Sequence, residues 1–428
     1  MTLFTRRQAL IGAAGLGVTL DVLATNATAD TAIANRKMVV IICRGGLDGL
    51  SLSPPVGDPA YAQLRGPIAI PAFGTPGGAL KLDDTFGLHP SLRFIHDLTM
   101  KGEARVAPAV ATPDRERSHF EAQDVLESGA PHVYATSSGW LNRALEAMGP
   151  SVKAISVGPT APLVLRGKIE AASWSPGGMG ERDHRLPAIL QDLYARDPLL
   201  GPALAEGLAT QSMARAAVAD ADRTDASMAS ADTAQTASTS GGFVQPAGIP
   251  PTPPRQGVDQ ARKIGATLAG FIVQPGGVQV AAVSIDNFDT HANQGASSGQ
   301  LANRLIYVDA FLSGLQTGLG PSWKDSLVVM ATEFGRTARV NGTNGTDHGT
   351  ASTALVMGGA LRRGGIIGDW PTLAEARLFE NRDTYPTLDM RALFKGLLRD
   401  HLGVDRGALD RSVFPDSSQV APVERIAV

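Results

Sequence analysis

The sequence has little cysteine and little charge. Its single cysteine, Cys43, lies inside an apolar run, so no disulfide can form within the chain and a small buried hydrophobe is the expected role. Only 18% of the 428 residues are charged, the formal net charge is −3, and the lysines and arginines are scattered. A nucleic-acid-binding protein usually carries a clustered basic patch, so we expect no nucleic acid partner.

A long apolar run is also lacking. The run Ile11–Leu20 is too short to be a stable membrane span. It follows the paired Arg6 and Arg7 and precedes the small-residue stretch ATA at 27–29, an arrangement typical of a twin-arginine export signal. The sequence therefore predicts a signal peptide at 1–29, the twin-arginine export machinery as a partner, and a periplasmic or secreted protein. A frayed N-terminal helix is the alternative.

Apolar residues are plentiful, at 43%, and 48 glycines with 28 prolines indicate many loops. Continuous β-branched or apolar runs, typical of strands buried on both faces, lie at 37–43, 104–111, 153–157, 278–285, 326–332 and 353–358. Helical patterns lie between or after them at 119–128, 139–148, 256–272, 300–318 and 388–402. This alternation predicts an α/β fold with a mainly parallel central sheet.

One segment departs from this pattern. In 214–240, 22 of 27 residues are Ala, Asp, Ser or Thr, and a proline-rich stretch follows. Such a composition favours a flexible excursion. Because strand-like runs occur on both sides, we interpret 214–256 as a low-complexity insertion within a single domain at 36–428. There is no internal repeat.

Polar residues gather where the predicted strands end. In open α/β sheets the working residues lie beyond the carboxyl ends of strands. Five loops there supply carboxylates, imidazoles, a hydroxyl and a guanidinium, namely Asp48, Ser118, His119, Asp286, Asp289, His291, Glu333, Arg336, Asp347 and His348.

Each of these loops also has a structural interpretation. Asp48 stands among glycines that could mark a tight turn, and Ser118 with Glu121 fits an S-x-x-E capping box. Arg336 could pair with a carboxylate. The stretch DNFDTHANQ at 286–294 could be a polar turn, and Asp-His-Gly at 347–349 could be structural as well. Together, however, the five loops bring enough polar side chains to one region to predict a functional site.

Carboxylates with imidazoles suit zinc, manganese or a similar ion. Two such ions can clamp an in-line displacement at phosphorus or sulfur. A hydroxyl at a helix N-terminus has its developing negative charge stabilised by the helix dipole.

The motifs RGGLDGL, RSHFEAQD, SGWLNRAL, DTHANQ, EFGRT and GTDHG closely resemble the family catalogued as domain of unknown function 1501. The resemblance runs from about Arg36 to Phe414 and is broken mainly at 214–256. That family is distantly similar to the alkaline phosphatase and sulfatase superfamily. The resemblance implies a three-layer α/β/α fold with a two-metal site at the carboxyl edge of the sheet.

The resemblance also implies roles for individual residues. Asp48 would be a metal ligand, and Ser118 would be the hydroxyl nucleophile. Asp289 (or Asp286) and His291 would hold one metal, and His348 would be the late histidine of that same metal.

Glu333 would stand where the superfamily commonly has an Asp-His pair. Phe334 follows it, so a second metal would lose an imidazole, for which His119 is the available substitute. One or two divalent ions are therefore implied, zinc first and manganese or calcium as alternatives.

Arg336 would stabilise substrate oxygens. The implied function is hydrolysis of a phosphate or sulfate ester on a small molecule or glycan. The alternative is an exported binding protein that keeps the fold without catalysis.

Overall fold

The computed structural model describes residues 35–149, 152–158, 161–175 and 255–428, and the predicted signal peptide and nearly all of the predicted insertion lie outside these ranges. The described strands are β1 (Lys37–Cys43), β2 (Leu80–Lys81), β3 (Gly87–Leu88), β4 (Ala104–Ala111), β5 (Ala154–Val157), β6 (Ala171–Trp174), β7 (Val280–Ile285), β8 (Ser326–Ala331), β9 (Ser352–Met357) and β10 (Leu388–Asp389). The described α-helices are Gly49–Leu52, Tyr61–Arg65, Arg93–Lys101, His119–Ser128, Trp140–Met148, Arg255–Val273, Gln300–Leu319, Met390–Leu402 and Arg406–Ala408.

Eight strands form one sheet in the order β10-β4-β9-β8-β1-β7-β5-β6, while β2 and β3 form a separate two-stranded ribbon. Strand β1 pairs in parallel with β7 and β8 on its two sides. Strand β9 is antiparallel to both of its neighbours, β8 and β4. The prediction of a mainly parallel sheet is therefore confirmed, with β9 as the exception.

Both faces of the sheet are covered by helices, because successive side chains of a strand point to opposite faces. In β1, Val39, Ile41 and Cys43 belong to the core on one face, which the helices Arg93–Lys101, Arg255–Val273 and Gln300–Leu319 cover. Met38, Val40 and Ile42 belong to the core on the other face, with Trp140–Met148 and Met390–Leu402. The result is a three-layer α/β/α arrangement.

The two longest helices pack unusually closely. A Cβ on Gly314 would lie 2.0 Å from the backbone oxygen of Arg262, and one on Gly265 would lie 2.1 Å from that of Phe311. Glycine at these two positions lets the helix backbones meet.

The direction of β9 brings one more loop to the functional edge. The parallel strands β1, β7 and β8 all end at the same edge of the sheet. Because β9 runs the opposite way, the residues just before it, Asp347 and His348, lie at that same edge. In the part of the chain that the structure describes, no helix is long and apolar enough to cross a membrane.

Candidate metal centre

Three histidines and an aspartate converge at the carboxyl edge of the sheet. His119 is the first residue of the helix that follows β4, Asp289 and His291 lie in the loop after β7, and His348 lies just before β9. Asp289 Oδ1 is 3.0 Å from His291 Nε2 and 3.3 Å from His348 Nε2, and Asp289 Oδ2 is 3.5 Å from His119 Nε2. Three loops of the predicted set therefore meet around one carboxylate.

In each imidazole Nε2 lies near Asp289, and the other ring nitrogen, Nδ1, contacts a hydrogen-bond acceptor. His119 Nδ1 lies 2.9 Å from Glu333 Oε1, His348 Nδ1 lies 2.9 Å from the carbonyl oxygen of Arg117, and His291 Nδ1 lies 3.4 Å from Asp347 Oδ1. A carboxylate or carbonyl can only accept, so each Nδ1 must carry a proton. In the neutral imidazole each Nε2 then offers a lone pair.

Those lone pairs point at one another. His291 Nε2 and His348 Nε2 are 3.0 Å apart, and His119 Nε2 is buried without a hydrogen-bond partner. Crowded acceptors beside a carboxylate repel one another unless a cation lies between them. Ligand atoms around a tetrahedral zinc ion stand about 3.3 Å apart, given Zn–N bonds of about 2.0–2.1 Å. Among the described residues, His119, Asp289 and His348 offer ligand atoms that all lie within 4.8 Å of one another, which fits a divalent metal, and His291 Nε2 lies beside this group, 3.0 Å from Asp289 Oδ1.

Burial and neighbouring charges favour the metal-binding forms of Asp289 and His348. Burial alone would raise the pKa of Asp289, but the hydrogen bond and charge of Arg336 outweigh it and lower that pKa. Burial lowers the pKa of His348, with help from the charges of Arg336 and His119. The hydrogen bond to Glu333 raises the pKa of His119. Asp289 is therefore favoured in its ionised form and His348 in its neutral form, which are the forms that bind a cation, whereas a cation at His119 has to displace a proton that the raised pKa favours.

Glu333 reaches the cluster only through His119. Its buried carboxylate accepts hydrogen bonds from Gly45 N at 2.8 Å, His119 Nδ1 at 2.9 Å, Gln123 Nε2 at 3.2 Å and Thr332 Oγ1 at 2.9 Å. Burial would raise the pKa of Glu333, but these hydrogen bonds lower it overall. Glu333 is placed to orient His119, in the way that outer-shell carboxylates orient metal-bound histidines.

Arg336 is buried beneath the cluster, and its donors are occupied. Its guanidinium donates to the carbonyl oxygens of Gly46 at 2.6 Å and Thr346 at 3.1 Å, to that of Gly45, and to Asp289 Oδ1 at 2.5 Å. It therefore ties the loop after β1 to the loop after β7 and fixes the position of Asp289.

Phe334 forms an apolar wall beside the histidines. Its ring centroid is 4.9 Å from that of His119 and 4.7 Å from that of His348. A Cβ on Gly46 would come within 2.4 Å of this ring, so glycine is required opposite it.

Ser118 precedes His119 and begins its helix on an extended backbone, with φ −94° and ψ 128°. Its side chain makes no capping hydrogen bond, so the capping-box interpretation is wrong. Arg117, just before it, has a left-handed φ of 59°, which is strained for a residue with a side chain. Ion pairs from Arg117 to Asp383 at 3.1 Å and Glu380 at 2.5 Å hold this turn in place.

The remaining two predicted ligands lie elsewhere. Asp48 is buried and accepts hydrogen bonds from Ser51 Oγ at 2.8 Å, Gln294 Nε2 at 2.6 Å and the guanidinium of Arg65. Asp286 is exposed and does not belong to the group around Asp289.

Sequence reasoning missed the groups that hold the histidines. Gln123 follows His119 by four residues, so helical periodicity could have shown that both lie on one face. The carbonyl oxygen of Arg117 and the ion pair of Arg65 with Asp48 carry no signal in the sequence, because any residue has a carbonyl and the two charges are far apart in the chain.

Several solved structures are similar to this chain at low identity. The C-terminal periplasmic domain of EcEptC from Escherichia coli, in complex with Zn, has 10% identity, covers 89% of this chain and 86% of its own, and gives a TM-score of 0.37. The lipoteichoic acid synthase LtaP from Listeria monocytogenes has 9% identity, with 91% and 77% covered and a TM-score of 0.42. A protein in the alkaline phosphatase superfamily from Vibrio parahaemolyticus has 11% identity, with 78% and 63% covered and a TM-score of 0.34.

At these TM-scores the likeness is distant. No curated protein matches the chain. The family resemblance predicted from the motifs is confirmed, because the family match spans residues 35–413. The chain belongs to the family described as "Protein of unknown function (DUF1501)".

Proposed function

We propose that this protein is an exported, metal-dependent hydrolase of phosphate or sulfate esters carried by a small molecule or glycan. The observation that supports this most is the convergence of three imidazole Nε2 atoms on Asp289, each with its Nδ1 already bound to an acceptor. Imidazoles held in this orientation offer their Nε2 lone pairs to a cation.

The residues that would hold the ion are His119, Asp289, His291 and His348. Zinc fits the imidazole-rich donor set best, with manganese or calcium as alternatives. When bound, the ion would supply positive charge that polarises the ester oxygens. Asp48 is left out of the proposed ligand set, because its carboxylate already pairs with Arg65. Asp286 is left out because, among the described residues, it does not belong to the group of ligand atoms around Asp289.

Ser118 is the proposed nucleophile. Its hydroxyl is not used as a helix cap, and it stands at the N-terminus of a ten-residue helix, beside His119. The helix dipole stabilises negative charge at that oxygen. In the proposed reaction Oγ forms a bond to phosphorus or sulfur while the ester oxygen leaves and takes up a proton. Water then breaks the new bond and restores the hydroxyl.

Arg336 is proposed to position Asp289 and not to contact substrate. Its side chain is fully buried and it donates to four protein oxygens within 3.1 Å. Because its side chain is 0% exposed, substrate oxygens would not reach it. Removing Arg336 should therefore weaken metal binding before it affects the affinity for substrate.

The test combines metal analysis with an ester screen on the folded, exported protein. We expect one stoichiometric transition metal and turnover of at least one phosphate monoester, phosphate diester or sulfate ester. Ser118→Ala should lower turnover about a thousand-fold or more while metal content stays unchanged. Ser412→Ala, at an exposed serine, is the matched control.

Unchanged turnover in Ser118→Ala would remove Ser118 from the nucleophile role. Absence of bound transition metal, together with no loss of stability on chelation, would defeat the hydrolase proposal.

A second candidate is a non-catalytic exported protein in which the metal is structural. The observation in its favour is that His119, Asp289, His291 and His348 together would complete a tetrahedral shell, as structural zinc sites do. Metal binding with no turnover of any ester, and unfolding on chelation, would favour this candidate over the hydrolase.

A further inference from the structure

A second polar site involves residues outside the proposed metal-ligand set. A cavity of about 500 Å³ is lined by Gly257, Val258, Asn287, Gln300, Asn303, Arg304 and Tyr307. Four of these residues stand on one face of the helix Gln300–Leu319, at positions i, i+3, i+4 and i+7. Neighbouring positions Leu301, Leu305 and Val308 are buried in the core, so this polar stripe is the face turned away from it.

The hydrogen-bonding capacity of the stripe is unused. Among the residues that the structure describes, the side chains of Asn287, Asn303, Arg304 and Tyr307 have no hydrogen-bond or ion-pair partner. Gln300 uses only one donor, at 3.1 Å to the carbonyl oxygen of Ala292. Arg304 and Tyr307 line the cavity and are half-buried, so their side chains are partly shielded from water.

The chemistry of the lining selects the ligand. Three side-chain amides and a phenol can both donate and accept, which suits a molecule covered with hydroxyl groups. Arg304 adds one positive charge, and no carboxylate is among the described residues that line the cavity. A guanidinium binds carboxylate, sulfate or phosphate in a two-pronged manner. The volume lies in the range of small-molecule sites.

We infer that this cavity binds an anionic saccharide unit, a sugar carrying a carboxylate, sulfate or phosphate group. Arg304 binds the anionic group, and Asn287, Asn303 and Tyr307 bind hydroxyl groups. Asn287 adopts a left-handed φ of 74°, which asparagine tolerates better than most residues, and lies two residues before Asp289 in the same loop. The inference goes beyond the proposed hydrolase, because sugar binding here requires neither metal nor turnover.

The test measures binding of glucuronic acid, glucose 6-sulfate and glucose 6-phosphate to the full chain by ligand-observed NMR and calorimetry. Neutral glucose and inorganic sulfate are the comparison probes. We expect the charged sugars to bind more tightly than either comparison probe. Arg304→Gln should weaken binding of the charged sugars about ten-fold or more and leave that of glucose unchanged.

Asn303→Ala should weaken binding of all the sugars, charged and neutral. Arg262→Gln is the matched control, because Arg262 is an exposed arginine that pairs with Asp259 and does not line the cavity. Equal affinity for inorganic sulfate and glucose 6-sulfate would overturn the saccharide part of the inference. Unchanged binding in Arg304→Gln, or no binding of any charged sugar, would overturn the site. Ester turnover enters none of these measurements, so the hydrolase proposal can fail while this inference stands.

Discussion

At the scale of single residues, the cluster depends on which nitrogen of each histidine carries the proton. The three Nδ1 atoms are held by three different kinds of acceptor: a buried carboxylate, a main-chain carbonyl and an exposed carboxylate. Each acceptor selects the tautomer that leaves Nε2 free for a cation. The histidines could be picked out from the sequence, but their tautomers follow from contacts that only the folded chain makes.

Glu333→Gln tests this control of the tautomer. The amide NH₂ would face the donors that now reach the carboxylate, so His119 would lose its fixed orientation. We expect metal affinity to fall about 10- to 100-fold, measured by competition with a chelator. Glu375→Gln, an exposed glutamate paired with Arg339, is the control and should leave metal affinity unchanged. An unaltered metal affinity in Glu333→Gln would contradict the orienting role.

The ion pair between Arg65 and Asp48 is the second residue-scale feature. Both side chains are at most 1% exposed. Removing one partner leaves the other charge buried and unpaired, so Arg65→Met should lower the free energy of unfolding by about 3–5 kcal/mol. Urea denaturation would measure this, with the exposed Arg93→Met as control. The double variant with Asp48→Asn should recover part of the loss; if it recovers none, the unpaired charge is not the cause.

At the scale of elements, the long helices Arg255–Val273 and Gln300–Leu319 pack through glycines. A side chain at Gly314 would meet the main chain of Arg262 at 2.0 Å, so the helices would have to move apart. The sequence predicted both helices within about a turn of their observed ends, but their close approach depends on which faces meet.

Gly314→Ala tests this close packing against a matched glycine. We expect a loss of about 1–3 kcal/mol in unfolding free energy, the range for overpacking a well-packed site. Gly257→Ala, where an added Cβ meets nothing within 4 Å, should be neutral or stabilise by up to about 1 kcal/mol. Equal effects of the two variants on the thermal midpoint would show that the helices adjust without strain.

At the scale of the whole molecule, two buried histidines link stability to pH. Burial lowers the pKa of His89 to about 4 and that of His401 to about 4, from an ordinary value of 6.5. Because the folded pKa is the lower one, their contribution is fully present above pH 6.5 and is lost as pH falls toward 4. Each of these two histidines should lower the free energy of unfolding by about 3 kcal/mol between pH 6.5 and pH 4. Unfolding curves at several pH values would show a shallower acid slope in His401→Gln, while exposed His132→Gln would match wild type.

Export is a prediction about the whole molecule. The predicted signal at 1–29 depends on Arg6 and Arg7. Replacing both by lysine should retain the protein in the cytoplasm of a bacterium with twin-arginine machinery, as measured by fractionation. Replacing Arg36 and Lys37, the next basic pair, is the control. Periplasmic accumulation that survives the double change in the signal would contradict the prediction.

The sequence by itself determined the class of fold and the loops that carry the candidate site residues. Strands β1 and β4 and the helix His119–Ser128 have the predicted ends, because buried β-branched runs and a helical period are local signals. The choice of His119, Asp289 and His291 followed from the rule that functional loops lie beyond strand ends, and His348 was chosen from the Asp-His-Gly stretch just before a predicted strand.

Tertiary structure decided how those residues are used. It placed β9 antiparallel, which brings His348 to the edge where the parallel strands end. It paired Asp48 with Arg65 and Arg336 with Asp289, and for that reason we propose that these two candidates support the site without binding metal or substrate. The physical reason is that a local pattern specifies a strand or a helix, whereas the partner of a charge depends on segments that meet only after folding.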